Sequence, residues 1–257
     1  NINSVRLRQQ LVVDFLTQHQ PDVLCLQETK TEDHLFPHAA FEQIGYRYRQ
    51  IRGEKSYNGV AIIAKIPIES VGFHKWAGRD DTRHLMVRLP RGWELHNFYI
   101  PAGGDEPDPQ INPKFAHKLQ FVDELASWFA ANRHSDAPII AVGDFNIAPS
   151  PMDVWSHKQL LKIVSHTPVE VAKLDHARDH FGWRDLVRDY FGEEARLYSW
   201  WSYRARDWAA SDRGRRLDHI WATGPVAQTV RSVELVRKWR GADRPSDHVP
   251  VIAEFAI

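Results

Sequence analysis

A chain of 257 residues, 43% hydrophobic and 26% charged, has the composition of an ordinary globular protein and the length to bury a large core. An aromatic content of 11% excludes a disordered chain, the single cysteine (Cys25) excludes a disulfide framework, and no apolar run approaches the roughly 20 residues that cross a bilayer. Basic and acidic residues balance at 33 each, which at face value argues against a nucleic-acid surface.

The chain opens on Asn1-Ile2-Asn3, without Met and without the basic stretch and apolar run of a signal peptide. Ser4 is placed to cap a helix whose apolar residues Leu7, Leu11, Phe15 and Leu16 share one face, and Pro21 ends it. Residues 22–26 form a short apolar run of strand type, and residues 59–64 and 95–100 read as further strands. Asn112-Pro113 pairs a helix cap with proline at the first helical position, and Phe115, Leu119, Val122, Leu125 and Phe129 keep helical spacing to about residue 131. Residues 138–142 are continuously apolar, as in a strand covered on both faces. Residues 153–195 read as mainly helical or irregular, and strands over 217–222 and 249–255 close the chain. Strands interleaved with helices, with no linker or repeat, predict one α/β domain over residues 1–257 with large sheets packed together.

Acidic residues sit at the margins of these strands. Leu24-Cys25-Leu26 runs into Gln27-Glu28, and Ile139-Ile140-Ala141-Val142 runs into Gly143-Asp144-Phe145-Asn146. Asp218 opens an apolar segment, and Ser246-Asp247-His248 precedes the last strand. Each acid alone also suits a turn or a helix cap. A carboxylate at a buried strand end is costly unless a cation or a histidine pairs with it. Four such acids, with Asn3 and Asn146 as amides, form an oxygen-rich set suited to Mg²⁺ or Mn²⁺ rather than Zn²⁺.

Asn1-Ile2-Asn3-Ser4-Val5-Arg6, Leu26-Gln27-Glu28-Thr29-Lys30, Tyr57-Asn58-Gly59-Val60-Ala61, Gly143-Asp144-Phe145-Asn146, Arg216-Leu217-Asp218 and Pro245-Ser246-Asp247-His248 occur in that order. Together with the Ser-Trp-Trp-Ser-Tyr-Arg loop at 199–204, these words closely resemble the exonuclease III family of abasic-site endonucleases, within the exonuclease–endonuclease–phosphatase superfamily. The resemblance implies a deoxyribonuclease I-like, four-layered α/β sandwich: two mixed β-sheets face to face with helices outside. It implies Glu28 as the main Mg²⁺ or Mn²⁺ ligand, helped by Asn3, with Asp247 nearby. Asn1 and Asn146 should hold the nucleophile and its neighbours, Asp144 should orient or deprotonate the attacking water, and Tyr99 should contact the scissile phosphate. His248, buttressed by Asp218, should contact it from the other side.

The family usually carries Gln or Asn after Tyr-x-Pro, whereas Tyr99-Ile100-Pro101 is followed here by Ala102. Neighbouring Gly103-Gly104 offers backbone N–H groups in its stead. From Trp200 to Arg244 ten arginines and lysines face five acids, a local excess of five positive charges interleaved with Trp200, Trp201, Tyr203 and Trp208. Trp200 and Trp208 are the aromatic residues matched to the pocket for an extrahelical abasic sugar, while Trp201, Trp221 and Trp239 also suit a core. Arg6, Lys30, Lys55 and Arg204 are phosphate contacts or plain solvated surface. The expected activity is cleavage 5′ to abasic sites in double-stranded DNA, with 3′→5′ exonuclease and 3′-phosphodiesterase or phosphatase action, by a cytoplasmic monomer working at the nucleoid. Two alternatives stand beside it: a superfamily phosphatase acting on a lipid or inositol phosphate, disfavoured by the lack of an amphipathic membrane segment, and a DNA-binding relative without catalysis.

Overall fold

The computed structural model describes residues 1–256. Its strands are β1 (Val23–Gln27), β2 (Tyr48–Arg52), β3 (Val60–Ala64), β4 (Glu69–Gly72), β5 (His84–Arg88), β6 (Glu94–Tyr99), β7 (Ile139–Asp144), β8 (Arg184–Asp185), β9 (Trp200–Trp201), β10 (Gly214–Arg215), β11 (Asp218–Ala222), β12 (Val230–Leu235) and β13 (Val251–Phe255). Helices α1 (Gln9–His19), α2 (His38–Gln43), α3 (Pro113–Asn132), α4 (His157–Leu160), α5 (Pro168–Phe181) and α6 (Leu186–Phe191) punctuate them.

Six strands form one sheet in the order β4-β5-β6-β7-β11-β8. It is a mixed sheet because β6 and β7 run parallel while its other neighbours run antiparallel. The facing layer holds β1-β3-β2 and the ribbon β12-β13, antiparallel in each pair. Between the layers lie Val60, Ile62, Leu85, Val87, Leu95 and Ile140, removed from water. Phe121, Val122, Leu125 and Phe129 of α3 cover the outer face of the six-stranded sheet, against Phe98, Ala141 and Trp221. Val12, Phe15 and Leu16 of α1 cover the other outer face, against Leu26, Ala61 and Ile63. The result is the four-layered sandwich expected from the resemblance, with hydrophobic burial between every pair of layers.

Local chemistry explains where the elements begin. The Asn112 side chain accepts from the Lys114 N–H at 3.0 Å, and Pro113 occupies the first helical position of α3. Every residue of β3 (Val-Ala-Ile-Ile-Ala) is buried, as a central strand covered on both faces requires. One expectation needs correction. Ser4 does not cap α1: the helix begins at Gln9, Leu7 is exposed, and Ser4 itself has φ 86°, because residues 2–5 are drawn alongside residues 27–29 by main-chain hydrogen bonds. Residues 153–195 are mainly helical or irregular as expected, with the two-residue β8 pairing with β11. Strands β2 and β12 are hidden in the sequence because polar residues interrupt their apolar ones (arginine and glutamine in β2, arginine, serine and glutamate in β12), and β5 because it opens on a histidine.

The layers are pinned together close to their functional end. Gln27 Nε2 donates to Asn97 Oδ1 at 2.6 Å, and Asn97 Nδ2 donates to the carbonyls of Leu26 and Ala61, both at 3.0 Å. This buried amide pair ties β1 and β3 of one layer to β6 of the other, and so fixes the residues that follow β1 against the end of β6.

Candidate active site

The register of the six-stranded sheet puts three polar side chains at one end. Tyr99 pairs with Asp144 across the parallel β6–β7 ladder, and Asp144 pairs with Asp218 across β7–β11. Gly143 makes the first approach possible: its φ is 136°, and a Cβ there would lie 1.9 Å from the Phe98 carbonyl oxygen. From the facing layer, β1 delivers Glu28, and residues 2–5 bring Asn1 and Asn3 alongside it.

One continuous hydrogen-bonded network results. Asn1 Nδ2 donates to Glu28 Oε1 and to Asp144 Oδ2, each at 2.8 Å. The Tyr99 hydroxyl donates to Glu28 Oε1 at 2.8 Å. Asn146 donates its N–H to Asp144 Oδ1 at 2.9 Å and its side-chain amide to the Ile100 carbonyl at 2.9 Å. His248 Nδ1 lies 2.7 Å from Asp218 Oδ2, and its Nε2 lies 3.6 Å from Asp144 Oδ2. Ser199, which sequence reasoning missed, donates to Asp218 Oδ2 at 2.6 Å and accepts from the Asp218 N–H at 3.0 Å. Nothing periodic marks a hydroxyl one residue before an aromatic pair; only the position of β9 brings it there.

These contacts set the charges. Burial pushes the Glu28 carboxyl up, but hydrogen bonds from Lys30, Asn1 and Tyr99 outweigh it and hold it at about 2. Burial, reinforced by the like charge of Asp218, raises Asp144 above the ordinary carboxylate range despite His248. Burial opposes ionisation of Asp218 as well, yet the His248 cation and hydrogen bond leave its carboxyl well below that range. Burial disfavours the charged form of His248, but the carboxylates of Asp218 and Asp144 overcome it and lift the imidazole to about 9. Tyr99 is held as a neutral phenol by burial and by the adjacent Glu28 and Asp144 carboxylates.

Two groups have donor sets for a cation. Asp144, Asp218 and His248 offer ligand atoms within 4.8 Å of one another. However, both His248 nitrogens face carboxylates, and a protonated ring has no lone pair to give. The second group fits better. Lys30 Nζ lies 2.7 Å from Glu28 Oε2 and 2.7 Å from Asn3 Oδ1, so these oxygens already converge on one positive charge. Asp247 stands one hydrogen bond away, its Oδ1 accepting from Asn3 Nδ2 at 3.2 Å. An oxygen-only donor set suits a hard divalent ion. Asn3, Glu28, Lys30 and Asn146 all lie in the left-handed backbone region, with φ between 49° and 54°. Such conformations cost non-glycine residues about 1–3 kcal/mol each and gather at functional sites.

The remaining residues divide. Lys30 belongs to the Glu28 cup and is not free surface. Trp200 is half-buried: its indole N–H donates to Asp247 Oδ2 at 3.0 Å, and the Arg215 guanidinium lies 5.2 Å from its ring centroid. Trp208 opens a short helix, α7 (Trp208–Ser211), and packs on Trp201 with Arg237 and Arg240 beside it, apart from the Trp200 cluster. Arg6 and Arg204 are exposed, as is Ala102. Trp201 and Trp221 are core residues, 1% exposed.

A layered α/β fold with a buried Asp–His–Asp constellation beside an oxygen cup defines a hydrolytic phosphoesterase. The chain belongs to the Endonuclease/Exonuclease/phosphatase family, whose profile matches residues 1–248. It is 30% identical over 266 residues to exodeoxyribonuclease III of Haemophilus influenzae, covering 99% of this chain and 97% of that one. Among solved structures it is similar to an AP endonuclease from Archaeoglobus fulgidus (TM-score 0.93, 31% identity, 100% of this chain and 97% of that one). A 3′ phosphatase from Neisseria bound to a product DNA hairpin is also similar (TM-score 0.90, 30% identity, again 100% and 97%). The exonuclease III resemblance is thereby borne out, and the chain is a hydrolytic nuclease of the DNA-repair type.

Proposed function

We propose that this protein cleaves the phosphodiester 5′ to abasic sites in double-stranded DNA and trims or dephosphorylates 3′ ends at the same centre. The observation that carries this reading is the Asn1 amide that bridges Glu28 and Asp144, joining the cation cup to the Asp144–His248–Asp218 group. Glu28 and Asn3, with Asp247 behind, are the residues that hold a divalent ion, Mg²⁺ or Mn²⁺. When bound, the ion supplies positive charge to the phosphate and to the departing 3′ oxygen.

The chain's own groups do the rest. Asp144 takes a proton from water, and its raised proton affinity makes it a better base near neutrality than an ordinary carboxylate. Asn146 and Asn1 keep that carboxylate aimed. The His248 imidazolium, charged and oriented by Asp218, stabilises the negative charge that grows on the nonbridging oxygens. Tyr99, neutral, contributes a phenolic hydrogen bond to the phosphate. Trp200 and Trp208 are assigned to the sugar and base side of the site, and the exposed Arg6 and Arg204 to DNA phosphates, while Lys30 stays with the Glu28 cup. A monomer suffices for this chemistry, and a chromosomal substrate implies action at the nucleoid. No helix among the described residues is long and apolar enough to cross a membrane.

The test is a duplex containing one tetrahydrofuran abasic analogue, incubated with the protein and Mg²⁺. A nick 5′ to the analogue that disappears with EDTA is expected. Intact duplex, together with phosphate release from inositol phosphates, would favour the other superfamily chemistry and contradict the proposal.

A further inference from the structure

Behind the loop that carries Asn146 lies a buried cation that the hydrolysis itself does not consume. Lys118, on the second turn of α3, is fully buried, and its three ammonium protons meet three acceptors: the Asn146 carbonyl at 2.8 Å, the Ala102 carbonyl at 3.2 Å and the Glu170 carboxylate. Glu170, buried as well, accepts from the Ser165 N–H at 3.0 Å, from the Thr167 N–H at 3.1 Å and from the Thr167 hydroxyl at 2.6 Å. The Ser165 carbonyl in turn accepts from the Ala148 N–H at 2.8 Å. Gly103 rests on the lysine stem: its φ is 91°, and a Cβ there would lie 2.9 Å from Lys118 Cδ.

One ammonium therefore ties three loops. Residues 100–104 follow Tyr99 directly, residues 144–148 carry Asp144 and Asn146, and residues 163–167 lead into α5. A purely structural ion pair needs only Glu170. Here two of the three donors go to main-chain carbonyls in the loops that carry the reacting groups, and Asn146 is held in the left-handed region. An apolar side chain of equal length would fill the volume and leave both carbonyls unheld.

Resting on the reading that this centre hydrolyses phosphodiesters, we propose that Lys118 is a positioning residue whose ammonium sets the spacing of Tyr99, Asp144 and Asn146 around the reacting phosphate. Its effect acts through the carbonyls of Asn146 and Ala102, with Glu170 as counter-charge and anchor.

The experiment compares wild type, Lys118→Met, Glu170→Gln and the double variant K118M/E170Q. Each is assayed for Tm and for kcat and KM, on the abasic duplex and on bis(p-nitrophenyl) phosphate. Lys118→Met alone strands a buried carboxylate and is expected to unfold readily. In the double variant the amide introduced by Glu170→Gln keeps an acceptor for Ser165 and Thr167 without the unpaired charge, so Tm recovers. Its kcat nevertheless stays about 10- to 100-fold low on both substrates, with KM within about twofold of wild type, as expected when reacting groups shift by a fraction of an ångström. E170Q alone strands the buried ammonium in turn and lowers Tm, while its kcat falls less than that of K118M/E170Q because the two carbonyl bonds remain in place. Recovery of kcat along with Tm in the double variant overturns the proposal, and so does a double variant that cannot fold, since Lys118 then serves stability alone. Wild-type hydrolysis of the small diester without DNA cleavage contradicts the DNA reading only. The Lys118 comparison stands in that case, because the small diester meets the same reacting centre.

Discussion

At the scale of single residues, the site works by pushing neighbouring groups in opposite directions. Asp144 gains proton affinity from burial and from Asp218, while His248 keeps its proton because two carboxylates face it. The mechanism proposed above requires the Asp144 carboxylate and the His248 imidazolium. Activity therefore rises as pH climbs through a limb above the ordinary carboxylate range and falls through a second limb towards about 9. Asp218→Asn removes the largest support for the imidazolium, so the basic limb should move to lower pH while the acidic limb, relieved of a like charge, also moves down. A profile measured on the abasic duplex checks this, and an unchanged basic limb in Asp218→Asn would contradict the assignment of His248. The acids themselves were legible in the sequence because carboxylates at buried strand ends demand partners. Ser199 and the Lys118–Glu170 pair were not, since each acts through a hydrogen bond made only when distant loops meet.

At the scale of elements, the strands with continuous apolar runs were readable and those with charged edges were not. β3 and β7 lie between layers and must be apolar on both faces, so their sequences have a single interpretation. β2 and β12 spend part of their surface on solvent, and their arginines hide the pattern. The start of α1 departs from expectation for a different reason: residues 2–5 are recruited as partners of residues 27–29, and that tertiary pairing outweighs the local capping preference of Ser4. The same segment puts Asn1 and Asn3 in the site. Holding the layers in register there falls to the buried Gln27–Asn97 amide pair. Asn97→Leu leaves the Gln27 amide without its partner, at a cost of about 1–3 kcal/mol. Thermal unfolding should show a Tm lower by several degrees, with reduced kcat because Glu28 directly follows Gln27. A Tm equal to wild type would remove the amide pair from any role in joining the layers.

Across the whole molecule, a net charge of zero conceals an uneven distribution. Some of the arginines in the segment 200–244 are committed inside: Arg216 pairs with Asp153 and Asp185 in the core, and Arg215 donates to the Val164 carbonyl and the Ser165 hydroxyl. Arg204, Arg206 and Arg213 remain exposed and available to phosphates. Acids are drawn inward too, so the neutral total arises partly from buried pairs and from carboxylates gathered at the reacting centre. The proposed mechanism therefore assigns DNA binding to the outer surface and hydrolysis to the inner group, two properties that a single substitution can separate. The most direct test of the account is the Asp144→Asn variant on the tetrahydrofuran duplex, with incision rate under single-turnover conditions and affinity measured side by side. Affinity should stay within about threefold of wild type while the incision rate falls by about 10²-fold or more, as expected for loss of a general base. Incision at the wild-type rate by Asp144→Asn, or equal loss of binding and cleavage, would contradict the role given to Asp144 and the mechanism built on it.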